Sequence, residues 1–404
     1  MTLLDHFFGR VPDRYTRSAH LEDLAGFAGW LREGEYPNNT AQRLLSRTLQ
    51  ALESSGRRPG GRWTCADLEQ AFGHRRSFRR ARRRFGEFLH GVGRLTPRPE
   101  TGPHRSVLAG YQRYLLQTRG LARSTIGQHL AEVGALLKDA LPKGQRLREL
   151  TVQHIEEHLQ HRAAQISRRF LQSSVGCLRS FLRYCWERHL IARRLDGLDR
   201  PVCWRDERPP RALKWSRVQQ FLRSIDRTRS SGWRDFMILH LMAHYGLRTG
   251  EITRLRVDWI NWSDRTLWVE QFKTRSWLRL PLMNPTLAAL REYLRKGRPP
   301  SRRGELFLRA KAPIGPMTSG ALCELWKARA HQSGSDLAKS SPYALRHSFA
   351  MRLLARGVGI KLIGDLMGHQ SLRSTAVYLR LQTEALRDVA LPVPRPRQPR
   401  RGAA

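Results

Sequence analysis

Helical periodicity of apolar residues dominates the first half of the chain. The three- and four-residue spacing of an amphipathic helix is found at Leu21, Leu24, Phe27, Ala28 and Leu31, and again at Leu130, Val133, Leu136 and Leu137. No alternating, strand-like pattern of comparable length interrupts these stretches. The pattern therefore predicts all-α modules at the N-terminal side of the chain.

Two stretches of this half resemble each other, WLREGEYPNNTAQRLLSRTLQAL and YLLQTRGLARSTIGQHLAEVGALL. In each, an apolar helix ends in a short polar loop, and a threonine, Thr40 or Thr125, is expected to cap the next helix. Two further pairs of segments match in the same order. The matches predict a duplicated four-helix module at roughly 14–95 and 103–192, although any two amphipathic helices share some likeness.

The pattern changes after the second module. Residues 193–211 lack periodicity and contain a Pro-Pro pair, which predicts a linker. Beyond it, TLWVEQF from Thr266 and SWLRLPL from Ser276 alternate apolar and polar positions around a Lys-Thr-Arg turn, which predicts a β-hairpin among helices. The predicted organisation is an additional helical, arginine-rich module at 1–100, a helical domain at 101–192, the linker at 193–211, a mixed α/β, mainly helical domain at 212–391, and a disordered tail at 392–404.

The charge of the chain points to nucleic acid. Lys and Arg number 73 against 34 Asp and Glu, a formal net charge of +39, and such an excess favours a polyanionic partner. The run RRSFRRARRR lies on a predicted helix and contains no acid to form ion pairs, so contact with DNA phosphates is a likelier use than a solvated surface. The candidate backbone contacts are Arg75, Arg76, Arg79, Arg80, Arg82, Arg83 and Arg84.

Several function classes are disfavoured. The five cysteines are scattered without metal-binding spacing, so neither a structural metal nor a disulfide framework is expected. There is no signal-peptide pattern and no apolar run long enough to cross a bilayer. We expect a cytoplasmic protein that needs no cofactor, no metal ion and no membrane.

Three short segments carry candidate chemistry. They are HYGLRTGEITRLRVDWIN with Arg248, SPYALRHSFAMRLLARG with Arg346 and His347, and LIGDLMGHQSLRSTAVYLRL with His369 and Tyr378. These segments resemble, in the same order, the conserved boxes of the tyrosine recombinase (phage integrase) family, and the resemblance is strong over about 212–391. The helical domain at 101–192 is more loosely similar to the family's SAM-like core-binding domain.

The resemblance implies a set of catalytic residues. It identifies Arg248, Lys273 in the hairpin turn, Arg346 and His369 as catalytic, and Tyr378 as the nucleophile. One position departs from the family's pattern: the second conserved box normally begins with His or Lys, and here it begins with Tyr343. A tyrosine hydroxyl can donate a hydrogen bond to a phosphate oxygen but carries no positive charge, which puts part of the rate in doubt.

These residue types suit metal-free attack on a phosphodiester. Two fixed guanidinium groups offset the charge on the non-bridging oxygens of the transition state, and a lysine on a hairpin serves as the acid for the leaving 5′ oxygen. His369 is expected to bond a non-bridging oxygen or to help deprotonate the tyrosine. A covalent phosphotyrosine conserves the bond energy, and the phosphate-binding GxxxxGK[ST] motif is absent.

The resemblance therefore implies site-specific recombination of double-stranded DNA (integration, excision or transposition) through a 3′-phosphotyrosine intermediate. A homotetramer on paired sites is expected, alone or with partner recombinases. Two alternatives stay open. One is a catalytically impaired accessory protein that still binds DNA, and the other is a type IB-like topoisomerase.

Overall fold

The computed structural model describes residues 3–96, 104–141, 145–203, 212–272, 276–334, 337, 340–369 and 371–379. The predicted Lys-Thr-Arg turn with Lys273, the linker positions 204–211 and the tail 392–404 lie outside these residues. Backbone contacts divide the chain into two compact units. One is 97–208, and the other combines 1–96 with 209–404.

The N-terminal module is helical and has its own core. Its helices are α1 (Asp5–Phe8), α2 (Asp13–Thr16), α3 (Leu21–Glu33), α4 (Asn38–Ser54), α5 (Cys65–Phe72) and α6 (Arg79–Gly91). Of the periodic apolar residues of α3, Leu24, Phe27, Ala28 and Leu31 are buried, as predicted, whereas Leu21 is half-buried. Phe27 packs its ring edge-on against Phe85 of α6. Phe85 also contacts the rings of Trp63, Phe72 and Phe88, so aromatic packing joins α5 and α6 to α3.

The unit at 97–208 contains four long helical segments around a separate core. They are α7 (Arg105–Arg113), which continues as a π-helical turn (Tyr114–Thr118), α8 (Arg123–Ala140), α9 (Val152–Gln165) and α10 (Arg168–Glu187). Leu178, Phe181 and Leu182 of α10 are fully buried in this core. Tyr111 is also fully buried, and its hydroxyl lies 2.9 Å from Nδ1 of His129.

The two modules have the same order of helices, but the threonines predicted to cap their second helices are not caps. Thr64 and Thr151 cap α5 and α9 by accepting a hydrogen bond from the third residue of each helix. The expectation that Thr40 and Thr125 are caps is wrong. Both lie inside the first turn, because α4 begins after Pro37 and α8 begins after Ala122, and neither helix has a side-chain cap. A proline before the first turn fixes the chain direction without a capping hydroxyl.

The C-terminal part is mainly helical with a small antiparallel sheet, as predicted. Its helices are α11 (Trp215–Arg223), α12 (Ser230–Tyr245), α13 (Thr249–Ile252), α14 (Asn284–Glu292), α15 (Ser319–Gln332), α16 (Tyr343–Leu354), α17 (Ile360–Met367) and α18 (Leu372–Ala376). The strands are β1 (Ile260–Asn261), β2 (Thr266–Gln271) and β3 (Ser276–Pro281), in the order β1-β2-β3. Helix α12 is buried on nearly all sides and forms the centre of the core.

Inward and outward positions alternate along β2, which confirms the predicted hairpin. Leu267 and Val269 are fully buried, and the register pairs Leu267 with Leu280 and Gln271 with Ser276. The hairpin therefore packs one face on the core, and Gln271 lies at the end of β2 that leads into β3.

The N-terminal module contacts a loop of the C-terminal part. The backbone carbonyl of Gly34 accepts a hydrogen bond from the amide of Ile314 at 2.9 Å. Oε1 of Glu35 accepts one from the Ser301 hydroxyl at 2.8 Å and another from the Arg302 amide at 3.1 Å. These contacts explain why residues 1–96 group with 209–404 although 97–208 lies between them in the sequence.

None of the described helices is both long and apolar enough to cross a bilayer.

Candidate active site

Arg248 is positioned by the turn that ends α12. Gly246 adopts a left-handed conformation with φ of 65°, and a Cβ at this position would lie 2.6 Å from the Phe349 ring, so glycine is required on both grounds. The Arg248 guanidinium donates to Oε1 of Glu251 at 2.6 Å and to the Gly368 carbonyl at 3.4 Å. Glu251 also accepts from the Arg248 amide at 2.7 Å, which fixes the arginine at the start of α13.

Arg346 lies in α16 and is only 1% exposed. Its two η nitrogens donate to the carbonyls of Gly246 and Met367, so one side chain ties the α12 turn to the end of α17. Its Nε is buried without a hydrogen-bond partner among the described residues. Burial, and then the neighbouring Arg248 charge, lower the pKa of Arg346, but an arginine remains protonated in proteins.

His369 follows the end of α17. Gly368 terminates the helix in a left-handed conformation, and its Cα faces the Gln271 side chain so closely that any Cβ would collide with it. The His369 amide donates to the Gly364 carbonyl at 2.9 Å, and its Nδ1 lies 2.8 Å from the Thr375 hydroxyl. Burial lowers the pKa of His369 to about 4, with a further contribution from the two arginines, so the ring is neutral at pH 7.

Tyr378 follows α18 and is 1% exposed. Its hydroxyl lies 3.0 Å from Nδ1 of His347. Burial lowers the pKa of His347 to about 4, with Arg346 adding to the effect, and burial raises the pKa of Tyr378. His347 is thus neutral, and the phenol can donate to its Nδ1.

Sequence patterns singled out His347 as part of a candidate segment but predicted no role for it, and they did not single out Thr375 or Gln271. His347 stands directly after Arg346 in the second segment, which was the only signal available for it. Thr375 and Gln271 have no motif, and only the fold shows that they contact the His369 turn.

Tyr343, at the departing position, is the first residue of α16 and is 45% exposed. Its ring meets the His347 ring edge-on, with centroids 4.7 Å apart. The side chains of Arg248 and Arg346 and residue His369 therefore meet where the turn after α12 lies beside the turn after α17. Tyr378 and Tyr343 both contact His347. Lys273 lies outside the described residues.

The N-terminal arginines are on a different surface. Arg75, Arg76, Arg79, Arg80 and Arg83 are exposed, whereas Arg82 and Arg84 are half-buried. The expectation that this run has no acid to pair with is wrong, because Glu87 lies one turn further along α6 and pairs with both Arg83 and Arg84. The remaining five have no ion pair with a described carboxylate, and their contact with DNA stays a prediction.

Comparison with known proteins supports the resemblance. Residues 211–385 match the phage integrase family. A putative integrase/recombinase of Sinorhizobium fredii is 40% identical over 187 residues, which is 46% of this chain and 96% of that protein. A second putative integrase/recombinase of the same organism is 30% identical over 305 residues, covering 74% of this chain and 72% of the relative.

Solved structures share the fold. A XerH site-specific recombinase bound to a palindromic difH substrate aligns with a TM-score of 0.54 at 17% identity, over 72% of this chain and 97% of that chain. Arg248, Arg346, His369 and Tyr378 all lie within the matched residues 211–385. The chain belongs to the phage integrase family, the tyrosine recombinases.

Proposed function

We propose that this chain carries out site-specific DNA recombination, cleaving each strand through a 3′-phosphotyrosine bond to Tyr378. The observation that carries the proposal is that two arginines converge on the turns that follow α12 and α17. Arg346 donates to Gly246 and Met367, and Arg248 donates to Gly368. Two guanidinium groups fixed in this way form a preorganised site for a phosphate.

The cleavage step forms one bond to phosphorus and breaks another. The Tyr378 oxygen bonds to phosphorus as the bond from phosphorus to the 5′ oxygen breaks; the tyrosine proton passes to water, and the 5′ oxygen gains a proton from Lys273, which water then reprotonates. Arg248 and Arg346 offset the charge on the non-bridging oxygens, and neutral His369 donates a further hydrogen bond. Lys273 supplies the proton to the leaving oxygen, and religation is the same step in reverse, so no ATP is consumed.

Arg346 also offers a donor for the substrate. Its Nε is buried without a partner among the described residues, and an unsatisfied donor of this kind costs about 1–3 kcal/mol. A phosphate oxygen would satisfy it. Since that atom is inaccessible in the described state, DNA binding must open the site.

The nucleophile is also in a resting state. A free phenol has a pKa of about 10, and burial raises the pKa of Tyr378 further while the pKa of His347 is lowered to about 4. Both shifts oppose transfer of the proton from Tyr378 to His347, so the resting pair is a neutral phenol beside a neutral imidazole. His347 therefore holds the protonated tyrosine, and we infer that DNA binding exposes the hydroxyl before attack.

The assembly and the biological setting are parts of the same proposal. Recombination joins two duplexes, which requires four active subunits on paired sites, as a homotetramer or with partner recombinases. A structural neighbour is a lambda integrase dimer bound to a core site, and another is a Tn1549 transposon integrase in complex with a circular intermediate DNA. These neighbours support a role for this chain on a mobile element, acting on DNA in the cytoplasm.

The domain organisation extends the proposal. We infer that 101–192 is a core-binding domain of the SAM-like type and that 1–100 is a second copy of it. The support is the shared order of four helices and the threonine cap at the same helix in each module, Thr64 and Thr151. Contact of both copies with duplex DNA then follows from the family's use of the first.

A covalent trapping experiment tests the proposal. Nicked duplexes tiled across the DNA that flanks the gene would be incubated with the full chain, and SDS-resistant adducts measured. Tyr378→Phe should abolish the adduct and leave DNA affinity within about twofold, since only one oxygen is removed. An adduct that persists in Tyr378→Phe would show that the nucleophile is another residue.

Tyr111→Phe is the matched control. Tyr111 is equally buried, and its hydroxyl also contacts a histidine Nδ1, at 2.9 Å. It lies in the other unit, so its variant should lose similar stability but keep the adduct. If both variants lose the adduct, the loss reports damage to the fold and not removal of the nucleophile.

A further inference from the structure

A groove on the N-terminal module is lined by arginines from three helices. It has a volume of 690 Å³ and lies between α2, α4 and α6. Its charged lining residues are Arg14, Arg43, Arg47 and Arg80, and no carboxylate is among the residues that line it. We call it the N-terminal groove.

The four arginines are exposed and unpaired. Elsewhere in the module, Arg57 pairs with Asp67, Arg94 with Asp23 and Arg17 with Asp13. None of the four groove arginines has an ion pair with a described carboxylate. Charges that are left unpaired together on one surface favour an anionic ligand.

Aromatic rings and hydroxyls complete the groove. The Arg47 guanidinium lies 5.1 Å from the centre of the Phe78 ring, and Arg14 lies 5.2 Å from that of Tyr15, so both arginines are partly held in place. Thr40, Ser46 and Ser77 also line the groove. Guanidinium and hydroxyl groups are common contacts for phosphate oxygens of a DNA backbone.

The groove continues into a second one. Arg80 also lines an adjoining groove of 810 Å³ between α5 and α6, together with Arg76, Arg79, Arg82 and Arg83. Glu69 and Glu87 line this second groove, so its charge is partly offset. The N-terminal groove therefore has the larger net positive charge of the two, with four arginines and no carboxylate against five arginines and two glutamates, and Arg80 lines both.

We infer that the N-terminal groove binds the phosphate backbone of duplex DNA, as a contact separate from the Tyr378 site. An extended surface with hydroxyl donors and four arginines on three helices, two of them (Arg43 and Arg47) one turn apart on α4, fits successive phosphates of a strand. A small anion would contact only one or two of these arginines. The inference rests on the proposed function and deepens it, because it names the surface through which the module at 1–100 contacts DNA. Phosphate contacts carry no sequence information, so the groove contributes affinity and register.

A salt-dependence experiment tests this contact. Full-length Arg43→Gln/Arg47→Gln/Arg80→Gln would be compared with wild type for binding a 40-bp duplex of mixed sequence between 50 and 200 mM NaCl. Each phosphate contact contributes about 0.9 to the slope of log K against log salt, so loss of three contacts should flatten the slope by about 2.7. The corresponding triple lysine variant keeps the charge and should keep the slope.

The matched control removes the same charge from the same module. Arg10, Arg58 and Arg62 are exposed and do not line either groove. Changing these three to glutamine should leave the slope within about one unit of wild type. An equal flattening in both triple variants would show general surface charge and overturn the inference, as would an unchanged slope in the groove variant.

Two further outcomes distinguish DNA binding by the groove from binding of another ligand and from the proposed recombination activity. Tighter binding of an RNA duplex or of an acidic peptide than of the DNA duplex, lost in the groove variant, would overturn DNA as the ligand. Adduct formation on a short core duplex at low salt should survive in the groove variant. If wild type forms no adduct while the slope difference persists, the proposed function fails and the groove inference stands.

Discussion

Replacement of His347 by leucine distinguishes a resting-state partner from a general base. The change removes Nδ1, which lies 3.0 Å from the Tyr378 hydroxyl. Because that tyrosine is 1% exposed, its hydroxyl would be left without a partner in the closed site.

The expected magnitude follows from the burial. An unpaired buried hydroxyl costs about 1–3 kcal/mol, which destabilises the closed state relative to one in which Tyr378 is exposed. Since about 1.4 kcal/mol corresponds to a factor of ten, we expect His347→Leu to lower the free energy of unfolding by about 1–2 kcal/mol. Single-turnover cleavage should be retained and should rise by up to about 30-fold where opening limits the rate.

The assay is adduct formation on a nicked duplex in a single turnover, with DNA affinity and denaturant unfolding measured beside it. His129→Leu is the control, because it removes the partner of the equally buried Tyr111 in the other unit. It should cost similar stability and leave cleavage unchanged. A fall of 100-fold or more in His347→Leu, at unchanged DNA affinity, would show that His347 takes the proton and would refute the resting-state argument.

Three other predictions address the site and its stability. Gly368→Ala should destabilise the fold by more than Gly357→Ala in denaturant unfolding, because both positions have positive φ but only Gly368 faces the Gln271 side chain. The left-handed conformation alone costs about 1–2 kcal/mol, and equal losses would show that the Gln271 amide moves aside at no measurable cost. The free energy of unfolding should fall as pH drops from about 6.5 towards 4, because the pKa values of His347 and His369 are lowered to about 4 in the folded state, so the unfolded chain binds protons more readily. Thermal melting at constant ionic strength measures this change. A melting temperature that does not vary with pH would contradict neutral buried rings. Cleavage should persist in EDTA because guanidinium groups offset the phosphate charge, and a loss that Mg²⁺ restores would point to metal-assisted hydrolysis.

Much of the fold was predictable because its local signals agree with its packing. The period of α3 and the alternation of β2 match buried positions, so element type followed from pattern alone. Helix starts were less predictable. Thr40 and Thr125 have capping side chains, yet each lies inside the first turn of its helix, because the chain enters α4 after Pro37 and α8 after Ala122.

The candidate site was likewise predictable from the sequence only in part. Arg248, Arg346, His369 and Tyr378 could be named because they lie in short segments of recognisable order. Their surroundings could not, since the contacts of Gln271 with Gly368 and of Thr375 with His369 join different elements. The closed state of Tyr378 was also invisible in the sequence, because burial is a property of the whole fold.

The contact of Gly34 and Glu35 with the loop that carries Ser301 and Ile314 has a consequence for exchanging parts between relatives. A boundary drawn near residue 100 treats the first module as an appendage that can be removed or replaced. Such a cut would leave the Ile314 amide without its acceptor and uncover Ala312, which packs on the core of the module. A functional chimaera would have to transfer the loop at 300–314 together with the first 96 residues, so the unit that can be exchanged is discontinuous in the gene.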